Sequence, residues 1–434
     1  MTKTWKDIQF LDVYKDERKK DRIIGLSFPE HNGYLGLEPS VLTVLPPGDN
    51  VEFSLKNIRF NDDDVRYYVC SVYISGMEAF CKWASMHDRE KIIVGGYHPT
   101  TFPDEFKRYA FKIVQGTCDS LLDTIKQEGQ VVPGITSYRS LPRYDLWNPR
   151  NNQQIIPGKN PLDIVTSINT SQGCPYRCDF CCTPIIAPRL QSKPLEQVEK
   201  EMRYIRENYD PKFIFIRDEN FPLQKDWRER LMQISFGSLN LKIYLFASAN
   251  LITEEMAKTM KHYGVFMVCL GLEDVTETYK KNENLDKAIA ILKKHKIMVY
   301  LSFIVDPLKV IGKEAGEIYY KKLMDRLYEL KPEMVNGNFL MPFKGTALWD
   351  KYFAYVSPED YKCYDSKTPF LIRNPVVRDK MRFFLFWYQW QYYTSNTYNN
   401  QVRKFFCGDT LHLRFLELRD KFKPMYEYLW NIRP

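Results

Sequence analysis

Polar and apolar positions alternate along this chain with two different periods. Residues 22–29, 51–58 and 66–75 are short apolar runs, and 91–100 and 111–117 read as strands. Residues 76–90 and 118–130 instead carry apolar side chains at helical spacing. This alternation predicts a parallel α/β sheet over residues 1–145, with a weak first crossover where prolines interrupt residues 35–47. Residues 131–165 are rich in Pro, Asn and Gly and lack periodicity, so a linker is placed at 146–162. A second strand–helix rhythm fills 163–352. Its predicted strands are 163–170, 212–220, 241–250, 265–274, 297–306 and 333–342, with a helical stretch in each of the five intervals. Six strands and five helices predict a (β/α)6 barrel-like sheet, in which chemistry belongs at the C-terminal strand ends. Residues 353–434 read as helical, with long stretches at 381–400 and 411–432.

Composition narrows the function classes. The chain has 434 residues, 44% apolar and 27% charged, which excludes wholesale disorder. No apolar run reaches the length of a membrane span, and the first twenty residues lack the apolar core of a secretory signal. A soluble, cytoplasmic protein is therefore expected. The net charge of +8 is small for a dedicated nucleic-acid binder, so nucleic acid is not the expected partner. Aromatic residues crowd the region after residue 353. The segment 383–393 is apolar nearly all round, so it is expected to be buried, packing against an open barrel as a helical cap.

Three of the ten cysteines form a group. Cys174, Cys178 and Cys181 have C-x3-C-x2-C spacing, immediately after the first strand of the second segment. Thiolates are soft ligands suited to zinc or iron–sulfur clusters. A structural zinc site needs four closed ligands, and no second pair follows. Three thiolates on one loop suit a cubane with one iron left open. In this placement the triplet, with Phe180 before its last cysteine, resembles the radical S-adenosylmethionine (SAM) superfamily. The resemblance implies a [4Fe-4S] cluster that cleaves SAM to methionine and a 5′-deoxyadenosyl radical. It also implies SAM contacts at later strand ends. Phe180, Asp218 and Glu219 are candidates, as are Ser248 and Asn250 on the third strand's end and Glu273 on the fourth. Residues 341–346 resemble the family's Pro-x-Pro-Gly-Thr segment, with Lys344 in place of the second proline.

The segment Gly95-Gly96-Tyr97-His98-Pro99-Thr100 resembles the cobalamin-binding domains fused to radical SAM cores. That resemblance implies a Rossmann-like first domain with cobalamin at an edge built by Ser71, Ser75, Gly76, Gly95 and Gly96. No Asp-x-His-x-x-Gly motif supplies a lower-axial histidine, so His98 is expected to be structural. The implied layout is a cobalamin-binding-type domain at 1–145, the linker, a radical SAM partial TIM barrel at 163–352 and an aromatic-rich helical region at 353–434. The implied activity is cobalamin-dependent methylation of an unactivated carbon in a small-molecule or peptide substrate. An external donor such as flavodoxin or ferredoxin would supply electrons. Two rival readings fit the same residues. One is a radical SAM rearrangement or cyclisation without methyl transfer. The other is a non-catalytic metal-binding protein with a partner-binding tail.

Overall fold

The computed structural model describes residues 21–28, 44–47, 50–54, 61–146, 165–236, 241–277 and 283–395. They fall into two compact units. The first takes in the described residues up to Tyr73 and from Glu78 to Leu146, and the second takes in Ile74–Met77 and those beyond residue 147.

The first unit is a six-stranded sheet. In chain order its strands are β1 (Arg22–Phe28), β2 (Val51–Ser54), β3 (Val65–Val72), β4 (Ile92–Gly95), β5 (Lys112–Gln115) and β6 (Val131–Pro133). They lie in the order β2-β1-β3-β4-β5-β6, and every pairing is parallel. The first helix, α1 (Met77–Ala84), follows β3, and α2 (Tyr97–Thr101) and α3 (Leu121–Ile125) follow β4 and β5. β1 is a central strand, and six of its seven residues are buried, as a sheet covered on both faces requires. Phe28, Phe80 and Trp83 meet edge-on or tilted in the core, and Phe80 reaches Phe106. His98 is fully buried beside Glu105, with Nε2 3.0 Å from its carboxylate.

Two details depart from the sequence pattern. The residues predicted as a strand over 91–100 leave the sheet at Gly95 and turn helical from Tyr97. β6 lies within the segment read as a connector. Three residues ending in proline are too short to show a period of two, and pairing with β5 defines the strand.

In the turn that leads into β3, Asp62 gathers several donors. His87 Nδ1 lies 2.6 Å away, the Tyr68 hydroxyl donates at 2.7 Å and the Asp88 N–H at 2.6 Å. Burial opposes the charge on Asp62, but these bonds outweigh it and hold its pKa below the usual 3.8. The contribution of this carboxylate is complete above 3.8 and is lost as pH falls through its lower folded value.

The second unit is built on β7 (Val165–Ile168), the two-residue strands β8 (Ser171–Gln172) and β9 (Gln191–Ser192), β10 (Phe213–Ile216), β11 (Lys242–Phe246), β12 (Val265–Glu273), β13 (Met298–Val305) and β14 (Met334–Phe339). The six longer strands form a parallel sheet in sequential order, β7-β10-β11-β12-β13-β14. The short helix α4 (Thr183–Ile186) lies between β8 and β9. The connecting helices are α5 (Leu195–Tyr209), α6 (Trp227–Ser235), α7 (Glu254–His262), α8 (Leu285–Lys294) and α9 (Lys313–Leu330). All six strands and five helices fall inside the segments marked by periodicity. α7 shows how local sequence fixes a start: the Thr253 hydroxyl accepts from Met256 N–H, with Glu254 and Glu255 in the first turn.

Burial alternates strictly along β13 and β14. One face carries Val299, Leu301, Phe303, Val335 and Phe339 into the core. The other face is half-buried and carries Phe215, Tyr244, Phe246, Tyr300, Met298 and Met334 around Met267 and Cys269. Phe215 stacks on Tyr244 at 4.7 Å, so the N-terminal half of this face is apolar.

After α10 (Ala347–Tyr352) the chain runs beside the free edge of β14 and into α11 (Pro375–Thr394). An open strand edge leaves unpaired backbone groups. Here Ser366 O accepts from Phe339 N–H at 2.8 Å, Gln389 Oε1 from Gly337 N–H at 2.9 Å, and the Tyr393 hydroxyl bonds both Val335 N–H and Val335 O. The aromatic stretch at 383–393 is therefore part of an edge cover as well as a core helix. The predicted helix at 411–432 lies outside the described residues.

Two stability outcomes are expected. A Cβ at Gly337 would lie 2.5 Å from Phe303 and 2.6 Å from Leu385 of α11. Gly337→Ala should destabilise the second unit by about 1–3 kcal/mol in denaturant unfolding. An unchanged midpoint would show that α11 does not seat on β14. Asp62→Asn should lower the melting temperature at neutral pH, with the difference from wild type shrinking below pH 3.8. A difference that grows on acidification would contradict the sign.

Candidate active site at the C-terminal strand ends

The cysteine loop begins where β7 ends. β8 and β9 pair antiparallel, Ser171 with Ser192 and Gln172 with Gln191, so residues 173–190 leave and return through one narrow neck. Lys193 N–H donates to Thr170 O at 2.8 Å across that neck. Arg230 of α6 is almost fully buried beneath it. Its Nη1 donates to Thr170 O at 3.0 Å and to Lys193 O at 2.7 Å, while Nε and Nη2 grip the Asp226 carboxylate at 2.8 Å each. Lys193 also forms a buried ion pair with Glu201 of α5. None of Arg230, Lys193 and Glu201 stood out in the sequence. The available signal was a charge on an apolar stripe, since Arg230 sits one turn before the buried Ile234.

Asp218 belongs to the same support. It is wholly enclosed and accepts from Thr170 N–H at 2.6 Å, Thr170 Oγ1 at 2.6 Å, Ser171 Oγ at 2.8 Å and Gln224 Nε2 at 2.7 Å. Burial raises its pKa, while the bonds from Thr170 and Ser171 act the other way. Its carboxylate turns sideways onto the end of β7 and fixes the start of the loop. Glu219, the next residue, is exposed and accepts from Gly173 N–H at 3.1 Å. Surrounding protein and the Asp218 charge raise its pKa.

Gly173 makes the turn into the cysteines. Its φ is +88°, and a Cβ there would lie 2.2 Å from Arg189 O and 2.8 Å from Ala187 O. Cys174, Cys178 and Cys181 are half-buried thiols, none of them in a disulfide, and Cys181 N–H closes a turn onto Cys178 O at 3.0 Å. Burial pushes the adjacent Cys182 thiol up to about 12. Among the described residues, no three His, Cys, Asp or Glu side chains converge on a single ion. That arrangement is compatible with a polynuclear cluster, whose thiolates each bind a separate metal atom.

The loop is braced on two sides. Asn250, just beyond β11, donates to the Tyr176 hydroxyl at 3.2 Å. Phe180 packs against the cluster of Leu340, Met341, Tyr352 and Phe370, and Leu348 N–H donates to Asp179 O at 3.3 Å. In this structure Phe180 therefore seats the loop on the segment after β14. Ser248 is buried and paired both ways with Asn220, its N–H donating at 3.0 Å and its Oγ accepting at 2.7 Å.

Glu273 closes β12 with a left-handed backbone, φ +57°, unusual for a residue with a side chain. A Cβ on Gly271 would lie 2.0 Å from Glu273 Oε1, so the carboxylate folds back over that glycine on the sheet face. Non-glycine strain of this kind concentrates at functional sites. Asp274 beside it pairs with Lys309 at 2.8 Å.

In the first unit, Ser71 pairs in register with Gly95. Gly96 has φ +104°, and a Cβ there would approach Val72 O to 3.3 Å and Ser71 Oγ to 3.5 Å. Gly95 differs: an added Cβ would meet nothing nearer than 3.8 Å. Internal packing does not require a bare backbone at Gly95, whereas close approach of a ligand from outside would. Ser75 and Gly76 lie in the turn Ile74–Gly76, which groups with the second unit.

Residues 168–305 match the model of the radical SAM superfamily. Among curated proteins, the chain is 22% identical over 294 residues to the bacteriochlorophyllide d C-12(1)-methyltransferase of Chlorobaculum tepidum, covering 63% of this chain and 62% of that protein. It is 24% identical over 270 residues to the hopanoid C-3 methylase of Methylococcus capsulatus, covering 56% and 50%. The chain thus spans between half and two thirds of the length of these two relatives. Among solved structures it is similar to the radical SAM methyltransferase TsrM of Kitasatospora setae, described with cobalamin and a [4Fe-4S] cluster bound. The TM-score is 0.55 at 15% identity, covering 77% of this chain and 78% of that one. Among the described residues no helix is long and apolar enough to cross a membrane.

Gly173→Ala is expected to spring the loop, exposing Arg177 and Arg189 to trypsin several times faster than in wild type, read by mass spectrometry. Gly312→Ala is the control. It has the same φ of +88° but nothing within 4 Å of the added Cβ, so it carries only backbone strain of about 1–3 kcal/mol. Equal cleavage of the two variants would contradict a steric requirement at Gly173.

Proposed function

Because residues 168–305 form a radical SAM domain, we propose that Cys174, Cys178 and Cys181 hold a [4Fe-4S] cluster, that the chain cleaves SAM, and that it methylates an unactivated carbon with cobalamin as second cofactor. One observation carries the reading: three half-buried thiols with C-x3-C-x2-C spacing on a glycine-turned loop that is braced from below. When bound, the reduced cluster would convert SAM to methionine and a 5′-deoxyadenosyl radical, and cobalamin would carry the methyl group.

This chain's own residues would do the holding. Asp218 and Arg230 fix the neck of the loop, so the thiols are presented without large rearrangement. Glu219 and Glu273 offer carboxylates after β10 and at the end of β12, two strands that flank β11, suited to accept from the SAM ammonium. Asn250 and Ser248 lie on the strand end between them. Ser71 and the bare backbone at Gly95 and Gly96 would border the corrin in the first unit. The half-buried aromatic face of the second sheet would take the substrate and exclude water from it. The two relatives are named for methylating a bacteriochlorophyllide and a hopanoid, and a substrate with an apolar ring body would suit Phe215, Tyr244, Phe246 and Tyr300. We read the second sheet as a partial TIM barrel, the chain as cytoplasmic, and its reductant as a flavodoxin or ferredoxin.

Metal analysis of the chain purified anaerobically from cobalamin-fed cells tests this. About four iron atoms and about one cobalt per chain are expected. Cys174→Ala should lose most of the iron and the formation of 5′-deoxyadenosine. Iron without cobalt would overturn cobalamin-dependent methylation in favour of a non-methylating radical reaction. Zinc alone would overturn the enzyme.

A further inference from the structure

The half-buried face of the second sheet changes character along its strands. Register places Cys269, Tyr300 and Met334 side by side in the apolar half. Two residues further along, Gly271, Ser302 and Asn336 are neighbours, and then Ile304 and Asn338. Ser302, Asn336 and Asn338 are all half-buried, facing the same side as the aromatic residues.

Lys367 reaches this polar end from the segment beside β14. Its Nζ donates to Asn336 Oδ1 at 2.7 Å, Gly337 O at 2.6 Å and Asn338 Oδ1 at 2.9 Å. All three acceptors are neutral. The nearby carboxylate, Asp365, is occupied elsewhere: it accepts from Lys367 N–H at 2.8 Å, Thr368 N–H at 2.6 Å and Thr368 Oγ1 at 2.9 Å. Among the described residues, the ammonium therefore sits half-buried without a carboxylate against it. Half-buried cations ordinarily acquire a counter-charge. Burial pushes this one down to about 8, the Asp365 charge opposing.

The chemistry of the contact fixes the direction of both amides. An ammonium only donates, so both asparagine oxygens must point at Lys367 and both amide nitrogens away from it. Asn336 Nδ2 turns one N–H to Asn338 Oδ1 at 3.5 Å, so the donors left to a ligand are its second N–H and the Asn338 amide N–H groups, backed by one positive charge. They lie on the apolar face where the proposed function puts the substrate. Neutral donors with a single cation match a monoanion with two acceptor oxygens.

We propose that Asn336 and Asn338, oriented by Lys367, recognise a carboxylate, and that the substrate carries one beside its apolar body. The substrate placement rests on the proposed function, while the anion site stands on its own geometry. Lys367 is a positioning residue, and the amides make the contact.

The test compares 2-naphthoate with 2-naphthamide, binding to the full chain by calorimetry with no cluster required. Wild type should bind the carboxylate at least about tenfold more tightly than the amide. Lys367→Met should erase that preference and Lys367→Arg should keep most of it, with melting temperatures recorded for each. Asn338→Leu, which leaves the lysine in place, should also lose the preference and serves if Lys367→Met does not fold. Equal affinity of wild type for both probes, or an undiminished preference in Lys367→Met or Asn338→Leu, would overturn the proposal. Failure of the reconstituted chain to cleave SAM would instead sink the proposed function and leave the carboxylate preference to be judged separately.

Discussion

The buried guanidinium of Arg230 bears on everything that follows the first strand of the second unit. It holds the carbonyls of Thr170 and Lys193, one on each side of the neck through which the cysteine loop leaves and returns. Asp218 holds the same Thr170 by its N–H and hydroxyl. Each of these backbone groups would cost about 1–3 kcal/mol if left buried and unpaired. The neck therefore has one stable closed arrangement, and an eighteen-residue excursion (173–190) starts and ends at defined points. A loop of that length is poorly specified by its own sequence, and its precision here comes from α5, α6 and β10 beneath it.

The other constraint is the free edge of β14. A sequentially ordered sheet that does not close leaves a row of backbone groups for solvent or another chain. The side chains of Tyr393, Gln389 and Lys367 and the backbone carbonyl of Ser366 take up that row. Covering the edge also carries Lys367 onto the face where the aromatic side chains lie. One stretch of chain thus joins a stability requirement to a chemical one.

Much of the second unit was legible because its signals are long-ranged along the sequence. Six apolar runs and five amphipathic stretches recur at regular spacing, and parallel sheets require that rhythm. Cys174, Cys178 and Cys181 stand out as a group by their spacing. The supporting charges did not, because Arg230, Lys193 and Glu201 look like surface residues until tertiary contacts bury them. Asp218 and Glu219 show the limit sharply. Adjacent acids just past one strand end look equivalent in sequence, yet the turn after β10 folds Asp218 back onto Thr170 and Ser171 and leaves Glu219 exposed. Lys367 was invisible for a different reason, since its partners lie about thirty residues away on an edge strand.

The central claim is that the braced loop presents three thiolates to one cluster and leaves an iron open. Mössbauer spectroscopy of the iron-57-reconstituted chain, recorded with and without SAM, tests it most directly. The account expects a [4Fe-4S] spectrum in which about one iron in four changes its isomer shift when SAM is added. A spectrum unchanged by SAM, or a preparation that takes up zinc and no cluster, would contradict it.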